Sequence, residues 1–402
     1  MVADPRSSSS PWASLLLGLA SVAVALGAAE LVLRTFLPIG QLSYRLDEEL
    51  LFEPRPDSAR FFVHRPGQTP RSVVARINSQ GFRGPELREP RPTHRVVVYG
   101  DSFIHAEYAA LEDTFAWQLE RALSPDGEAV EVVNAGVRSY GPDQALLRMQ
   151  RTVAALEPDL VVFAVFSGND YGDPIRNKLF RIGPDGELER RHPTITPALR
   201  EEFEQSPLET LGLAGLLRAA KRAVKLRLRA QRGDAAPPSL DEALEQCERE
   251  FLDFERSDLV GGEAFEDHYD LDLALEPARP SAVYKARMMR ALLAEAARFA
   301  TARALPLVVL VIPATEDVAP EAGYLPLAGA PRDPAQLSRG VALAAEAVGL
   351  PVIDLWPVFL ANEPAQLYLP GDFHWNPRGQ ALAARVVAER LRAGEERFAR
   401  LP

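Results

Sequence analysis

The sequence holds a single cysteine, Cys247, among its 402 residues. An internal disulfide and a cysteine-built metal site are therefore excluded, and the lone thiol reads as a small buried apolar side chain. Positive charge is in short supply. Lys and Arg number 45 against 56 Asp and Glu, for a formal net charge of −11, which argues against a nucleic-acid partner. No internal repeat of roughly 20 to 50 residues is visible, so a solenoid or propeller is not indicated. Apolar residues are plentiful at 47%, enough for a large core in one domain with extras, or in two domains.

The N-terminus lacks charge altogether between Ser7 and Ala29, and "PWASLLLGLASVAVALGAA" (11–29) is almost wholly apolar. A helix of that length spans roughly 28 Å, close to the hydrocarbon thickness of a bilayer. Glu30 and Arg34 follow one helical turn apart, a spacing at which they can pair. The segment reads as a transmembrane signal anchor over 11–37, after a tail at 1–10, with the remainder outside the cytoplasm at the periplasmic side or cell surface. A signal peptide cleaved before Glu30 and a buried core helix are the alternatives. Arg6 precedes the span and Arg34 and Arg45 follow it, so the charge balance does not orient it.

Residues 38–92 form a β-rich linker region, with short β-branched pieces such as "ARFFVH" and "SVVARIN" and a turn-rich end, "NSQGFRGPE". From residue 93 to 402 apolar runs alternate with helical patterns. The runs are "RVVVYG" (95–100), "VEVVNAG" (130–136), "DLVVFAVFSGND" (159–170), "LPLVVLVIP" (305–313) and "LPVIDL" (350–355). Near-continuous Val, Leu and Ile suits strands buried on both faces. The alternation predicts an α/β fold, a three-layer α/β/α sandwich around a five-stranded parallel sheet of the flavodoxin-like kind. Residues 178–280 interrupt the pattern and read as a mostly helical insertion between the third and fourth strands.

In such a sheet, ligands bind beyond the carboxyl ends of the strands. The first run ends in Gly100-Asp101-Ser102-Phe103. A serine at a strand-to-helix turn is a candidate nucleophile, and equally a simple helix N-cap. The other strand ends favour chemistry. The second places Gly136 in a loop that a ligand can approach closely, the third places Asn169 after Gly168, and "YLPGDFHWNPRG" brings Asp372 and His374 to the same predicted edge. Serine, histidine, carboxylate and N–H donors at one edge are what acyl transfer needs.

"GDSF", the glycine of "NAG", "GND" and "DFH" resemble the four blocks of the SGNH/GDSL hydrolase superfamily, over roughly residues 93–176 and 281–395. The resemblance implies Ser102 as nucleophile, His374 as general base and acid, and Asp372 as the group that orients His374. It implies an oxyanion hole made of the Ser102 and Gly136 backbone N–H groups and the Asn169 side-chain amide. The acid stands two residues before the histidine rather than three, where Gly371 sits. This D-x-H-W form resembles the branch that includes alginate O-acetyltransferase-like proteins. An α/β-hydrolase nucleophile elbow fits worse, because Ile104 stands where that motif needs glycine.

The implied activity is a serine esterase that removes acetyl or another small acyl group from a cell-envelope or exported carbohydrate through an acyl-serine. The alternative is an O-acyltransferase using the same triad, which would take its acyl group from a donor such as a membrane-bound acyl-donor protein. A catalytically inactive carbohydrate-binding scaffold is the third reading. No metal or organic cofactor is implied. The expected partners are an acylated carbohydrate or other small ester and, through the N-terminal helix, the membrane.

Several other residues have plainer readings. Asp101 reads as a local turn hydrogen-bonder, and His105, three residues past Ser102, as a residue on the following helix. His64, His94, His192 and His268 show no partner pattern. "FEDHYDLDL" (265–273) matches no calcium loop and reads as solvated. "LAGLLRAAKRAVKLRLRAQR" (213–232) has one apolar and one basic helical face. It suits either an anionic membrane surface or packing on the body with a solvated basic side. Trp375 suits either a wall of the site or plain packing.

Overall fold

The computed structural model describes residues 11–36, 44–63, 72–124, 129–204, 212–217, 220, 221, 224, 239–265, 269–320, 327, 331–369 and 372–393. The chain divides into two units, Met1–Leu42 with Gln205–Asp234, and Ser43–Glu204 with Ala235–Pro402.

The smaller unit is built on helix α1 (Pro11–Phe36). Its Trp12–Leu33 stretch has mean hydropathy 2.2, and none of it is buried within the chain. That exposure is at odds with a core helix and leaves a candidate membrane anchor. The Glu30 carboxylate accepts the N–H groups of Gly212 (2.8 Å) and Leu213 (3.1 Å), so it caps the helical turn at 212–217. Leu216, Leu217 and Val224 are exposed. Of the basic residues in 213–232, only Lys221 is among the described residues.

The larger unit is organised by five parallel strands: β1 (His94–Tyr99), β2 (Val130–Asn134), β3 (Leu160–Phe166), β4 (Leu307–Ile312) and β5 (Val352–Asp354). Their spatial order is β5-β4-β3-β1-β2, the doubly wound arrangement in which strand order reverses beside β1. All five fall in the five apolar runs of the sequence. The reason is visible in burial: every residue of β3 and β4 is buried, and Val96, Val97, Val98 and Tyr99 of β1 are fully so. Each such aliphatic side chain contributes roughly 1.5–3 kcal/mol on leaving water.

The helices that cover the sheet are α2 (Ser102–His105), α3 (Phe115–Leu123), α4 (Pro142–Leu156), α5 (Pro280–Thr301), α6 (Gln336–Glu346) and α7 (Pro377–Arg392). Helix α3 packs against α7, while α5 packs against both α4 and α6. The layers are those of an α/β/α sandwich, and right-handed crossovers leaving β1 in one direction and β2 in the other require them.

Two antiparallel hairpins precede the sheet, pairing Tyr44–Asp47 with Leu51–Pro54 and Ala59–Val63 with Ser72–Arg76. Side chains of α4 and its neighbourhood hold the first pair. Tyr140 Oη donates to the Phe52 carbonyl at 2.6 Å and Gln144 Nε2 to that of Leu50 at 2.6 Å.

The insertion is mostly helical among its described residues, with helices at Pro197–Phe203, Leu240–Arg256 and Leu271–Leu275. It also carries a small hairpin, Phe180–Ile182 with Leu188–Arg190. Ser239 and Glu242 close a capping box at the start of the 240–256 helix, which satisfies two otherwise orphaned N–H donors. Cys247 lies on that helix, fully buried, and burial pushes its thiol up to about 12.

One expectation fails here. Asp270 and Asp272, which read as solvated, are fully buried. The fully buried Lys285 of α5 donates to Asp270 Oδ1 at 2.8 Å and Asp272 Oδ1 at 2.9 Å, and this counter-charge is what permits two carboxylates in the interior. Glu266, Asp267 and His268 of the same stretch lie outside the described residues.

Candidate active site

The site forms where β1, β2 and β3 end and where the segment before α7 returns to them. Asp101 caps the one-turn helix α2, its Oδ1 accepting the Phe103 N–H at 2.9 Å, and this sets Ser102 as the first helical residue. The turn after β2 docks against it. The Val137 N–H donates to the Gly100 carbonyl at 3.0 Å, and Gly136 approaches α2 so closely that a Cβ there would stand 2.6 Å from the His105 backbone nitrogen. Only glycine fits that approach.

Ser102 Oγ lies 2.7 Å from His374 Nε2, and His374 Nδ1 lies 2.6 Å from Asp372 Oδ1. A carboxylate oxygen only accepts, so Nδ1 carries the proton and Nε2 is left to accept from the Ser102 hydroxyl. The same Asp372 oxygen accepts the His374 backbone N–H at 3.0 Å. An acid two residues before the histidine therefore reaches the ring directly. The three side chains are largely withdrawn from water, His374 and Asp372 at 13% and 9% exposure.

Gly136 and Asn169 sit at the turns after β2 and β3, both buried. The Gly136 N–H donates to Asn134 Oδ1 at 3.1 Å. Asn169 opens a tight turn whose carbonyl accepts the N–H groups of Gly172 (2.9 Å) and Asp173 (3.0 Å). Beside it Asp170 accepts the Phe166 N–H at 2.7 Å. Its carboxyl is raised well above the ordinary range by burial first and then by the neighbouring Asp101 and Asp173 charges.

His105 does not face the reacting groups. It is buried, and its Nδ1 donates to the Gly136 carbonyl at 3.1 Å, with Tyr44 Oη 3.5 Å from Nε2. Burial, then the Arg83 guanidinium, pulls its imidazole down to about 3. The fold thus holds His105 neutral, while the unfolded chain takes up a proton below about pH 6.5. Its stabilisation is complete above that value and is lost as pH falls towards 3. His105→Asn keeps a donor for Gly136 and cannot titrate. In urea melts the variant is expected to lose less stability than the parent between about pH 7 and pH 4, by a few kcal/mol; parallel pH profiles would contradict this.

Aromatic residues lock the segment carrying the histidine, and sequence reasoning missed most of them. Phe103 lies 4.4 Å from Phe166, 5.1 Å from the His374 ring and 5.1 Å from Trp375. Phe373 stacks on His374 at 4.4 Å. The available signal was position: each adjoins a motif residue or ends a strand. Trp375 is 3% exposed and packs on Phe359 at 5.2 Å, so it is core rather than pocket wall. Tyr108 is half-buried, its ring 5.9 Å from His374, with its hydroxyl pushed up to about 12 by burial and Glu107. Arg138 and Arg60 approach Glu107 at 3.4 and 3.7 Å.

Residues 275–402, which include His374 and Asp372, match the family profile described as "SGNH hydrolase-like domain, acetyltransferase AlgX". The serine, glycine, asparagine and histidine blocks stand in order on one sheet edge. Over residues 275–402 the likeness is to an SGNH hydrolase-like domain.

Among solved structures, this chain is similar to a lipase/acylhydrolase from Enterococcus faecalis (13% identity, 75% of this chain and 96% of that one, TM-score 0.36). It is also similar to the psychrotrophic esterase EstA from Pseudoalteromonas sp. (10%, 75% and 97%, 0.37) and to the acetyl xylan esterase AlAXEase (15%, 75% and 99%, 0.37). A comparison with curated proteins finds no match.

Proposed function

We propose that this chain is a serine-dependent acyl enzyme that moves a small acyl group, acetyl above all, on a carbohydrate of the cell envelope or an exported polysaccharide. The observation that carries the reading is the unbroken relay from Ser102 Oγ through His374 to Asp372, at 2.7 and 2.6 Å. In this reading the Ser102 oxygen attacks the acyl carbonyl as His374 Nε2 takes its proton. The tetrahedral oxyanion is held by the N–H groups of Ser102 and Gly136 and the Asn169 amide. His374 then returns the proton to the leaving alcohol, which departs and leaves the acyl-serine. Asp372 keeps the imidazole in the accepting tautomer and stabilises its charged form.

The acyl-serine is resolved by water or by a sugar hydroxyl. Hydrolysis is the simpler reading. Transfer is favoured by one specific observation, the match of residues 275–402 to an acetyltransferase domain. The domain at 93–402 would work outside the cytoplasm, held at the bilayer by the apolar helix within 11–37.

The two outcomes separate in one experiment. The full chain in detergent is incubated with an activated acetyl ester and a neutral or acidic oligosaccharide, and products are weighed by mass spectrometry. Acetylated oligosaccharide in excess of free acetate establishes transfer; acetate alone, unchanged by the acceptor, establishes hydrolysis. No consumption of the donor by the native chain would sink the proposed activity.

A further inference from the structure

The insertion reaches the turn that carries Asn169 through Asp270. Asp270 grips both ends of that turn. Its backbone N–H donates to the Gly168 carbonyl at 2.8 Å, and its Oδ2 accepts the Gly172 N–H at 2.9 Å. Asn169 lies between these two points. The approach is tight: a Cβ on Gly172 would stand 2.5 Å from Asp270 Oδ1. Asp270 is itself fixed by Lys285 Nζ at 2.8 Å, and Lys285 is held in turn by Asp272 at 2.9 Å. All three side chains are fully buried. Ala282, Met288, Met289 and Leu292 are among the buried positions near Lys285 along α5, so the lysine occupies a site where the helix would otherwise place an apolar residue.

A buried ion pair of this kind is weak evidence for stability, because an apolar replacement often serves as well. What it supplies is direction. The charge of Lys285 fixes which way the Asp270 carboxylate points, and the carboxylate fixes the turn. An oxyanion donor is effective only when it is already aimed at the place where charge develops.

We propose that Asp270, oriented by Lys285, is a positioning residue for Asn169, so that the insertion sets the geometry of the oxyanion donor. This rests on the reading of Asn169 as such a donor. Asp270 touches no substrate in this scheme and acts only through the turn.

The test is a double-mutant cycle on the full chain in detergent, with kcat and KM measured on a chromogenic acetate ester. Asn169→Ala alone is expected to lower kcat by about 10²–10³-fold, the usual loss for one such donor. Asp270→Ala alone is expected to lower kcat by about 10- to 30-fold with KM nearly unchanged, since the lost aim matters in the transition state. In the Asn169→Ala background the same change should cost less than about 3-fold, because nothing remains to aim. Asn169→Ala with undiminished kcat would overturn the donor reading and this proposal with it. A slow Asn169→Ala combined with equal Asp270→Ala losses in both backgrounds, or with no loss in either, would overturn the positioning role alone. Should Asp270→Ala fail to fold, Asp270→Asn replaces it in the same cycle. It keeps an acceptor for the Gly172 N–H but loses the Lys285 charge pairing. Its expected loss is about 5-fold, present only with Asn169 intact; a loss that is absent, or that persists in the Asn169→Ala background, overturns the role.

Discussion

Ser102→Ala is expected to reduce turnover of a chromogenic acetate ester by a factor on the order of 10⁴ or more, leaving the thermal midpoint close to that of the parent. The size follows from geometry. Ser102 Oγ is the atom facing His374 Nε2 at 2.7 Å, and alanine leaves the imidazole with no hydroxyl to deprotonate. The fold should not register the loss. The helix turn at 102–105 is capped by Asp101 rather than by Ser102, and methyl is a small change at a buried position. Stopped or continuous assays of the purified variant, with far-ultraviolet dichroism as the folding control, give the answer. Turnover within 10-fold of the parent, a margin well inside that expectation, would remove Ser102 from the mechanism.

Asp372→Asn should produce the second largest effect, a fall in kcat of about 10⁴-fold at neutral pH. Asparagine preserves the shape but presents either an N–H or a carbonyl to Nδ1. When the amide N–H faces the ring, Nδ1 must accept, the proton moves to Nε2, and the ring can no longer take the proton of Ser102. Asp372 Oδ1 also receives the His374 backbone N–H, so the carbonyl orientation has some support, and a residual rate above that of Ser102→Ala is expected. A kcat within a few-fold of the parent would mean that another group orients the imidazole.

The fold was legible because its signal is continuous. Val96 to Val98, Val161 to Val165 and Val308 to Val311 are apolar without a break, and strands buried on both faces leave no other pattern. The contact between Asp372 and His374 was legible because it is local, two residues apart with the acid reaching the ring. The hairpins' attachment was not. It depends on Tyr140 and Gln144 reaching carbonyls of Phe52 and Leu50, more than 80 positions away, and polar side chains on a helix do not announce distant backbone partners.

Asp270 and Asp272 misled for a related reason. An acidic stretch in a chain of net charge −11 looks solvated, and the compensating charge is on another helix. The clue lay in "SAVYKARMMRALL", where Lys285 takes its turn among Ala282, Met288, Met289 and Leu292 on the apolar stripe of α5. A lysine on such a stripe needs a carboxylate opposite it.

The aromatic ring system around the histidine has a consequence for how this catalyst can be tuned. Phe373 stacks at 4.4 Å on His374 and Phe103 lies at 5.1 Å, so the imidazole is packed against rings on the folded chain. Its ordering cost is met during folding rather than at each encounter. Preference among acyl donors and acceptors would then be written by residues outside this stacked set, such as Tyr108, whose ring lies 5.9 Å from His374. Divergence among proteins sharing this framework should accumulate there, while the stacked rings stay fixed.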